Sequence, residues 1–274
     1  MPTVRQRRLG TELRKARRAA GLTLEQAAEA LGIAHTTMGR YESAEHRPTL
    51  ARVTEMLGLY GGDEATQLAI LELARKARER GWWAPYGGVL DLSFVEVEDD
   101  ASRILTWQTQ LIHGLLQTPE YTRALIRMDT DDDEQVGERL EAREHRKAIL
   151  ARDTAPQLEL VLDEAALRRP VGGPDVMRGQ LRSLLIAGER SNVTVRVLPM
   201  EVGEYPFIGH GSVTIFGFAA ESEPDVAYLE SFAGGLFVED VGQVRTCREK
   251  LNRISDLALS AEESADLIGA IVKE

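Results

Sequence analysis

Ala20-Gly21-Leu22-Thr23-Leu24-Glu25-Gln26-Ala27-Ala28-Glu29-Ala30-Leu31-Gly32-Ile33-Ala34-His35-Thr36-Thr37-Met38-Gly39-Arg40-Tyr41-Glu42 is the stretch whose reading decides the N-terminal fold. Gly21 stops a preceding helix, because glycine takes the left-handed cap geometry without a Cβ clash. Thr23 followed three residues later by Gln26 has the capping-box spacing, so a second helix starts there. It turns Leu24, Ala27, Ala28 and Leu31 inward. Gly32-Ile33-Ala34 is a short turn, and a third helix is expected from His35 to Glu42. Upstream, Leu9, Leu13, Ala16 and Ala20 recur at helical spacing over residues 5–20. Downstream, residues 49–59 give a fourth helix with Leu50, Val53 and Leu57 on one side. Helices this short are marginal alone and must pack as a bundle.

Helix, glycine-containing turn and polar helix is the order of a helix-turn-helix, whose second member lies in the major groove of DNA. Ile33, Met38 and Tyr41 are placed to pin the third helix to the bundle. His35, Thr36, Thr37, Gly39 and Arg40 are left on the outward side. Arg donates two bonds to guanine, Thr bonds a base or touches a thymine methyl, and His donates or accepts. A large side chain at Gly39 would crowd the groove beside Arg40, although a helical glycine costs about 1 kcal/mol against alanine. Thr23, His35, Thr36, Thr37, Arg40, Arg14 and Arg47 are the candidate DNA contacts. Arg5, Arg7, Arg8 and Arg18 are further phosphate candidates, which would steepen salt dependence without reading sequence. The bland alternative is a solvated polar face with arginines for solubility.

Charge supports the first reading. The 274-residue chain carries a formal net charge of -11, but residues 1–60 sum to +4 and the remainder to -15. A basic end on an acidic body suggests that only the N-terminus meets a polyanion. With 43% hydrophobic and 28% charged residues, the composition is that of a globular protein rather than a disordered one. No stretch approaches the roughly 18 apolar residues of a membrane span. The basic start has no apolar run behind it, so no signal peptide is expected. The single cysteine, Cys247, excludes an intramolecular disulfide framework and any Cys-rich metal site. The expectation is a reduced, cytoplasmic protein.

The rest of the chain divides by pattern. Residues 63–80 read as a charged amphipathic helix, and Gly81-Trp82-Trp83-Ala84-Pro85-Tyr86-Gly87-Gly88 breaks helical periodicity. Residues 98–116 read as helix from Ala101, Ile104, Leu105, Gln108, Leu111, Ile112 and Leu115. Thr118-Pro119 starts another helix, and 134–152 is a further one dense in Arg and Glu. After Pro156 strands are expected at 157–162, 193–198, 212–218, 226–231 and 236–238, with helices at 164–167, 174–190, 240–258 and 261–272. The predicted fold is therefore mainly α with an α+β C-terminal part: an N-terminal helix-turn-helix bundle, a helical middle and a small mixed sheet domain. The expected divisions are a DNA-binding domain at 1–60, a linker helix with aromatic junction at 61–90, and a regulatory, partner-binding and dimerisation domain at 91–274.

Leu13-Arg14, Arg17, Ala20 to Thr23, Ala27-Ala28, Leu31 to Ile33, Arg40 to Glu42 and Pro48 resemble the Xre-type helix-turn-helix regulators. That resemblance implies base reading by His35, Thr36 and Arg40, with Thr37 nearer the backbone and Glu42 tying the third helix to the bundle. The family commonly has Gln just after the N-cap of the second helix, where this chain has Leu24. The C-terminal part resembles the long actinobacterial members of that group, whose C-terminal domain is uncharacterised and often labelled antitoxin-like. The residues concerned are Gly81 to Trp83, His113 to Tyr121, Arg143 to Arg146, Leu162 to Leu167, Val171 to Pro174, Gln180-Leu181 and Val193 to Pro199. The usual Pro-Gly-Leu-Leu-Gln-Thr begins here with His113 instead of Pro. The resemblance implies a transcriptional regulator of a neighbouring operon, with double-stranded DNA and a small protein encoded nearby as partners. A homodimer is expected because one small reading unit contacts few bases.

No catalytic constellation, metal site or cofactor is expected. His113, His145 and His210 lack ligand spacing to one another. Asp163-Glu164 are adjacent at a helix start, where negative charge is favourable. Ser191, Ser212 and Cys247 lack a nucleophile motif, and Gly172-Gly173-Pro174 is not a phosphate loop. Trp82, Trp83 and Tyr86 are either a ligand or partner pocket or an interdomain plug, since large rings serve as both.

Overall fold

The computed structural model describes residues 3–79, 81–219, 224–231 and 234–274. It forms two compact units. One comprises residues up to Ala84 with Leu92–Val97; the other comprises Pro85–Asp91 with Glu98–Glu274.

The first unit is a bundle of α1 (Val4–Ala19), α2 (Leu24–Ala30), α3 (His35–Glu42), α4 (Leu50–Tyr60) and α5 (Glu64–Lys76). Its core joins Leu9 and Leu13 of α1, Ala27 and Ala28 of α2, Met38 of α3, and Val53, Met56, Leu57 and Tyr60 of α4. Ile70 and Ala74 of α5, with Ala77 just beyond it, close the same core. The helix expected as a linker is thus the fifth helix of the bundle. Its exposed face carries Leu68 and Arg75 instead. Ala20 and Leu50, both expected inward, are exposed. α1 turns Arg17 inward in their stead, to a purpose described below.

α6 (Leu92–Asp100) contributes its first residues to this unit and its last to the other. In the first unit Arg5, expected among the phosphate contacts, is buried. Its Nη1 donates to the Lys76 carbonyl at 3.2 Å and lies 3.8 Å from Glu96, and its guanidinium sits 5.4 Å from the Trp83 ring centre. Burial removes it from any phosphate.

The second unit is built on a six-stranded sheet of order β3-β2-β1-β4-β5-β6. β1 (Arg103–Gln108), β2 (Gln157–Asp163) and β3 (Val193–Leu198) are parallel, with Ile104 opposite Leu158 and Leu158 opposite Val193. Helices α7 (Pro119–Ile126) and α8 (Asp133–Lys147) lie between β1 and β2 in the chain. α9 (Glu164–Arg168) and α10 (Pro174–Gly188) lie between β2 and β3. β4 (Val213–Gly217), β5 (Val226–Leu229) and β6 (Leu236–Val238) continue as an antiparallel meander from the other side of β1. α11 (Val241–Leu257) lays Val244, Leu251 and Ile254 on Leu105, Trp107, Val161, Val213, Ile215 and Ala227, with Cys247 packed at the edge of that core. α12 (Ala261–Lys273) follows, its Ser264 accepting from the Val197 backbone of β3 at 2.9 Å.

The helix expected over 98–116 is not formed. α6 ends at Asp100, β1 runs from Arg103 to Gln108, and only a single tight turn, Gly114–Leu116, is helical. β1 is central and covered on both faces, so Ile104 through Gln108 are all buried. A strand buried on both sides loses its period of two and reads like a buried helix. No helix among the described residues is long and apolar enough to cross a membrane.

Gly10 marks a close backbone approach in the bundle. A Cβ there would lie 2.7 Å from the Glu42 carbonyl oxygen and 2.9 Å from that of Tyr41, so α1 and the end of α3 meet backbone to backbone. Gly10→Ala is expected to destabilise the first unit by about 1–3 kcal/mol, despite alanine's better helix propensity. Denaturant unfolding followed by helical circular dichroism checks this; an unchanged or raised midpoint would show that α1 and α3 can separate freely.

Candidate nucleic-acid interface

The turn before α3 is fixed by local chemistry. Leu31 caps α2, Gly32 follows at φ +62°, and two bonds close the end: Gly32 N to Glu29 O and Ile33 N to Ala28 O, both 3.0 Å. This is the Schellman arrangement, which needs a residue in the left-handed region after the cap. The same pattern recurs at Gly21, φ +72°, where Gly21 N meets Arg18 O and Leu22 N meets Arg17 O. Thr23 then caps α2 reciprocally: its Oγ1 accepts from Gln26 N at 3.1 Å, and Gln26 Oε1 accepts from Thr23 N at 2.9 Å. Thr23 is exposed, and its hydroxyl proton remains to be donated outward.

α3 is held from beneath by one carboxylate. Glu42, its side chain 1% exposed, takes Arg17 bidentately at 2.6 and 2.9 Å. The remaining Arg17 nitrogen donates to the Leu22 carbonyl at 2.6 Å. Hydrogen bonding to Glu42 raises the Arg17 pKa. Arg14 reaches the Glu42 backbone oxygen at 2.9 Å and its carboxylate at 3.4 Å. The expectation that Glu42 ties α3 to the bundle thus has its geometry here. Arg14 is half-buried in the same clamp, so any phosphate contact it makes is shared with holding α3. Met38 is fully buried, its sulfur accepting from the Tyr60 hydroxyl at 3.7 Å, and burial pushes that hydroxyl up to about 12.

With Met38 and Glu42 inward, His35, Thr36 and Arg40 are exposed and Thr37 is half-buried. Arg40 lies 3.7 Å from Glu45, both largely exposed. Such a pair contributes little, about 0–1 kcal/mol, and yields readily to a better anion. Arg47 is exposed in the loop before α4, whose N-cap is Thr49. α3, its flanking loop and the start of α2 thus bring together Thr23, His35, Thr36, Thr37, Arg40 and Arg47 within one bundle. Among the described residues, a Cβ at Gly39 would meet no atom within 4 Å.

The aromatic candidates divide between the units. Trp82 and Trp83 stack edge to face at 5.9 Å, with Trp83 buried against Arg5 in the first. In the second, Tyr86 donates to Glu141 at 2.9 Å and lies 5.8 Å from His145. Asp163 and Glu164 serve locally: Asp163 caps α9 through Ala165 N and accepts from Tyr205, while Glu164 pairs with Arg168 and accepts from Met200 N. Among the described residues no group of three His, Cys, Asp or Glu is arranged to hold a metal ion.

Sequence reading missed Gly10, whose only signal was a glycine inside a helical pattern. It also missed the polar packing in the second unit. There the Gln117 side chain donates to the Ile112 carbonyl at 2.7 Å. Gln180 accepts from Thr118 N at 2.7 Å and donates to the Leu116 carbonyl at 2.8 Å. His113, 4% exposed, accepts from Leu115 N at 3.4 Å, and burial, with Arg146 nearby, depresses its pKa to about 3.

Residues 8–69 match the model of a family described as a helix-turn-helix domain. Residues 92–270 match that of a domain of unknown function (DUF5753). No curated protein and no solved structure matches the chain.

Two outcomes are expected from these sites. Gly39→Ala should stabilise the first unit by about 0.5–1 kcal/mol, since the methyl meets open space. If α3 enters a groove it should also weaken DNA binding; a stabilised variant with unchanged affinity would place Gly39 away from the DNA. His113 stays neutral where the unfolded chain binds a proton, so its contribution is full above its ordinary value of 6.5 and falls as pH drops toward about 3. The slope is about 1.4 kcal/mol per pH unit. Unfolding free energies measured against pH should show His113→Asn shedding that slope relative to wild type; parallel curves would refute it.

Proposed function

The chain belongs to the DUF5753 family and carries a helix-turn-helix domain at its N-terminus, and from that premise we propose a sequence-specific, dimeric transcriptional regulator of the Xre type. The observation that carries the reading is the outward face of α3. His35, Thr36 and Arg40 stand exposed on a helix whose opposite face is locked by Met38 and by the Arg17–Glu42 pair. A rigid helix presenting a guanidinium and hydroxyls is what direct readout of base edges requires. Arg40 takes the guanine role, His35 and Thr36 read neighbouring bases, and Thr23, Thr37, Arg14 and Arg47 meet the backbone. Dimerisation follows from the small size of one reading unit. Its half-sites would lie one helical turn, about 34–36 Å, apart or multiples of that. A DNA-binding role for the first unit, with α5 as part of it, belongs to this proposal, as does a second unit receiving a small protein or ligand. The reading assigns the chain no catalysis and places it with DNA in the cytoplasm.

A second reading is favoured by the surface of the second unit. Met128, Ile186 and Ile208 are 80%, 66% and 61% exposed on a strongly acidic body. On this reading the chain is an antitoxin-like interaction module that sequesters a small partner and autoregulates its operon.

Selection of genomic fragments with the purified chain, then salt titration on the best fragment, separates the two. The regulator reading expects one enriched inverted repeat bound at nanomolar affinity. On that site Arg40→Ala should cost about 1–3 kcal/mol and relax preference at one base. Wild-type affinity in Arg40→Ala would refute the assigned reading face. Absence of any enriched sequence, with a partner retained through purification, would replace the regulator reading by the second.

A further inference from the structure

At one end of the sheet in the second unit, β1 begins with Arg103, which stands opposite Gly217 at the end of β4. Asp225 directly precedes β5, which pairs with β4. α11 opens with Val241, Val244, Arg245 and Arg248, spaced i, i+3, i+4 and i+7 and therefore on one helix face. Arg103, Asp225 and this face of α11, together with Ser102 and Phe218, line a cleft of about 680 Å³. Small-molecule sites fall in the range of roughly 300–1,000 Å³. The DNA-binding reading uses none of these residues.

The cleft combines positive charge with apolar surface. Among its described lining residues three guanidinium groups meet one carboxylate, although residues 61–274 sum to -15. Asp225 pairs with Arg248 and lies 3.9 Å from Arg103, whose side chain is 65% exposed. One carboxylate cannot neutralise both. Arg245 is exposed and forms no hydrogen bond or ion pair among the described residues. Gly217 permits the clustering: a Cβ there would lie 3.0 Å from Arg103 Nε and 3.1 Å from Asp225 Oδ1. The apolar lining comes from Phe218 and Val244, both buried, and from Val241, 67% exposed one turn before Arg245. An arginine kept for solubility needs neither a cleft nor two further arginines beside it on an acidic body. Gathering like charges around a recess is the arrangement that draws in a ligand of opposite sign.

We propose that this cleft binds a small ligand in which an oxyanion, a carboxylate or phosphate group, is joined to an apolar portion. Arg245 and Arg103 anchor the oxyanion, because a planar guanidinium offers paired N–H donors to two oxygens of either group. Arg248, held by Asp225, adds to the positive field. Val241 and the accessible edges of Phe218 and Val244 receive the apolar portion. Asp225 competes with the ligand for Arg103. The inference deepens the reading of the second unit as the ligand-receiving part of a regulator, and it rests on that reading.

The test is titration calorimetry on the full chain, at constant ionic strength against chloride. The probes are acetate, hexanoate, inorganic phosphate and monobutyl phosphate, with 1-hexanol as the uncharged control. Saturable binding is expected from at least one oxyanion series, several-fold tighter for the alkyl-bearing member because burying methylene groups is favourable. Saturation in the carboxylate series alone assigns a carboxylate, in the phosphate series alone a phosphate, and in both the shared oxyanion. Arg245→Gln should weaken binding about tenfold, and Arg103→Gln with it should abolish saturation. Arg253→Gln, exposed on the same helix but outside the cleft, should change nothing. Saturation by none of the four anions overturns the proposal. So does 1-hexanol binding as tightly as hexanoate, or wild-type affinity in Arg245→Gln. Should the double variant fail to fold, Arg245→Gln decides, since that side chain holds no other described group. DNA binding is measured separately. Lost oxyanion binding with intact DNA preference removes this site alone, whereas intact saturation without DNA preference removes the regulator reading alone.

Discussion

The N-terminal unit depends on one buried carboxylate. Glu42 ends α3, and its oxygens and carbonyl receive Arg17 and Arg14 from α1. Without it α3 would be an eight-residue helix pinned chiefly by Met38, with a side-chain-free N-cap at Ala34. Removing one partner of a buried pair costs about 3–5 kcal/mol, because the other charge is stranded. Gly10 belongs to the same constraint, since the guanidinium groups reach Glu42 only where α1 and the end of α3 come to near backbone contact. The geometry of the exposed face therefore follows from groups that no ligand would touch.

A related logic holds in the second unit. Its central strand β1 is buried on both faces. Polar groups remaining inside are satisfied in pairs: Thr106 with Thr214 at 2.8 Å, Gln108 with Thr106 at 2.9 Å, and Arg146 with Glu98. Against that background the exceptions stand out. Trp107 keeps a buried indole nitrogen, and Arg139 its Nε, without a hydrogen-bond partner among the described residues. Unsatisfied or uncompensated groups are rare in native interiors and ask for a reason. For Trp107 the ring's burial against Tyr205, at 5.3 Å, offers packing but no acceptor.

Local chemistry was legible wherever it was self-contained. The ends of α3 were readable from Gly32 and Glu42. The caps at Thr23, Thr118 and Ser260 were readable because a side chain a few residues away satisfies the backbone. The short strands β2 and β3 alternated enough to be seen. β1 was read as helix because it is covered on both faces, so its residues lose the alternation that marks a strand. The burial of Arg5 was hidden because its partners are Lys76, Trp83 and Glu96, far along the sequence.

The sequence by itself determined the helix-turn-helix order, the asymmetry of charge between the N-terminal segment and the rest, and the residue types presented by α3. Each depends on interactions spanning a few residues or on composition alone. Only the tertiary structure decided that α5 completes the bundle and that Arg17 and Arg14 serve Glu42. It alone placed Arg5 inside. These depend on which distant groups desolvate one another. A charge in sequence carries no record of its counter-ion, whereas in the fold burial makes the choice of counter-ion decisive.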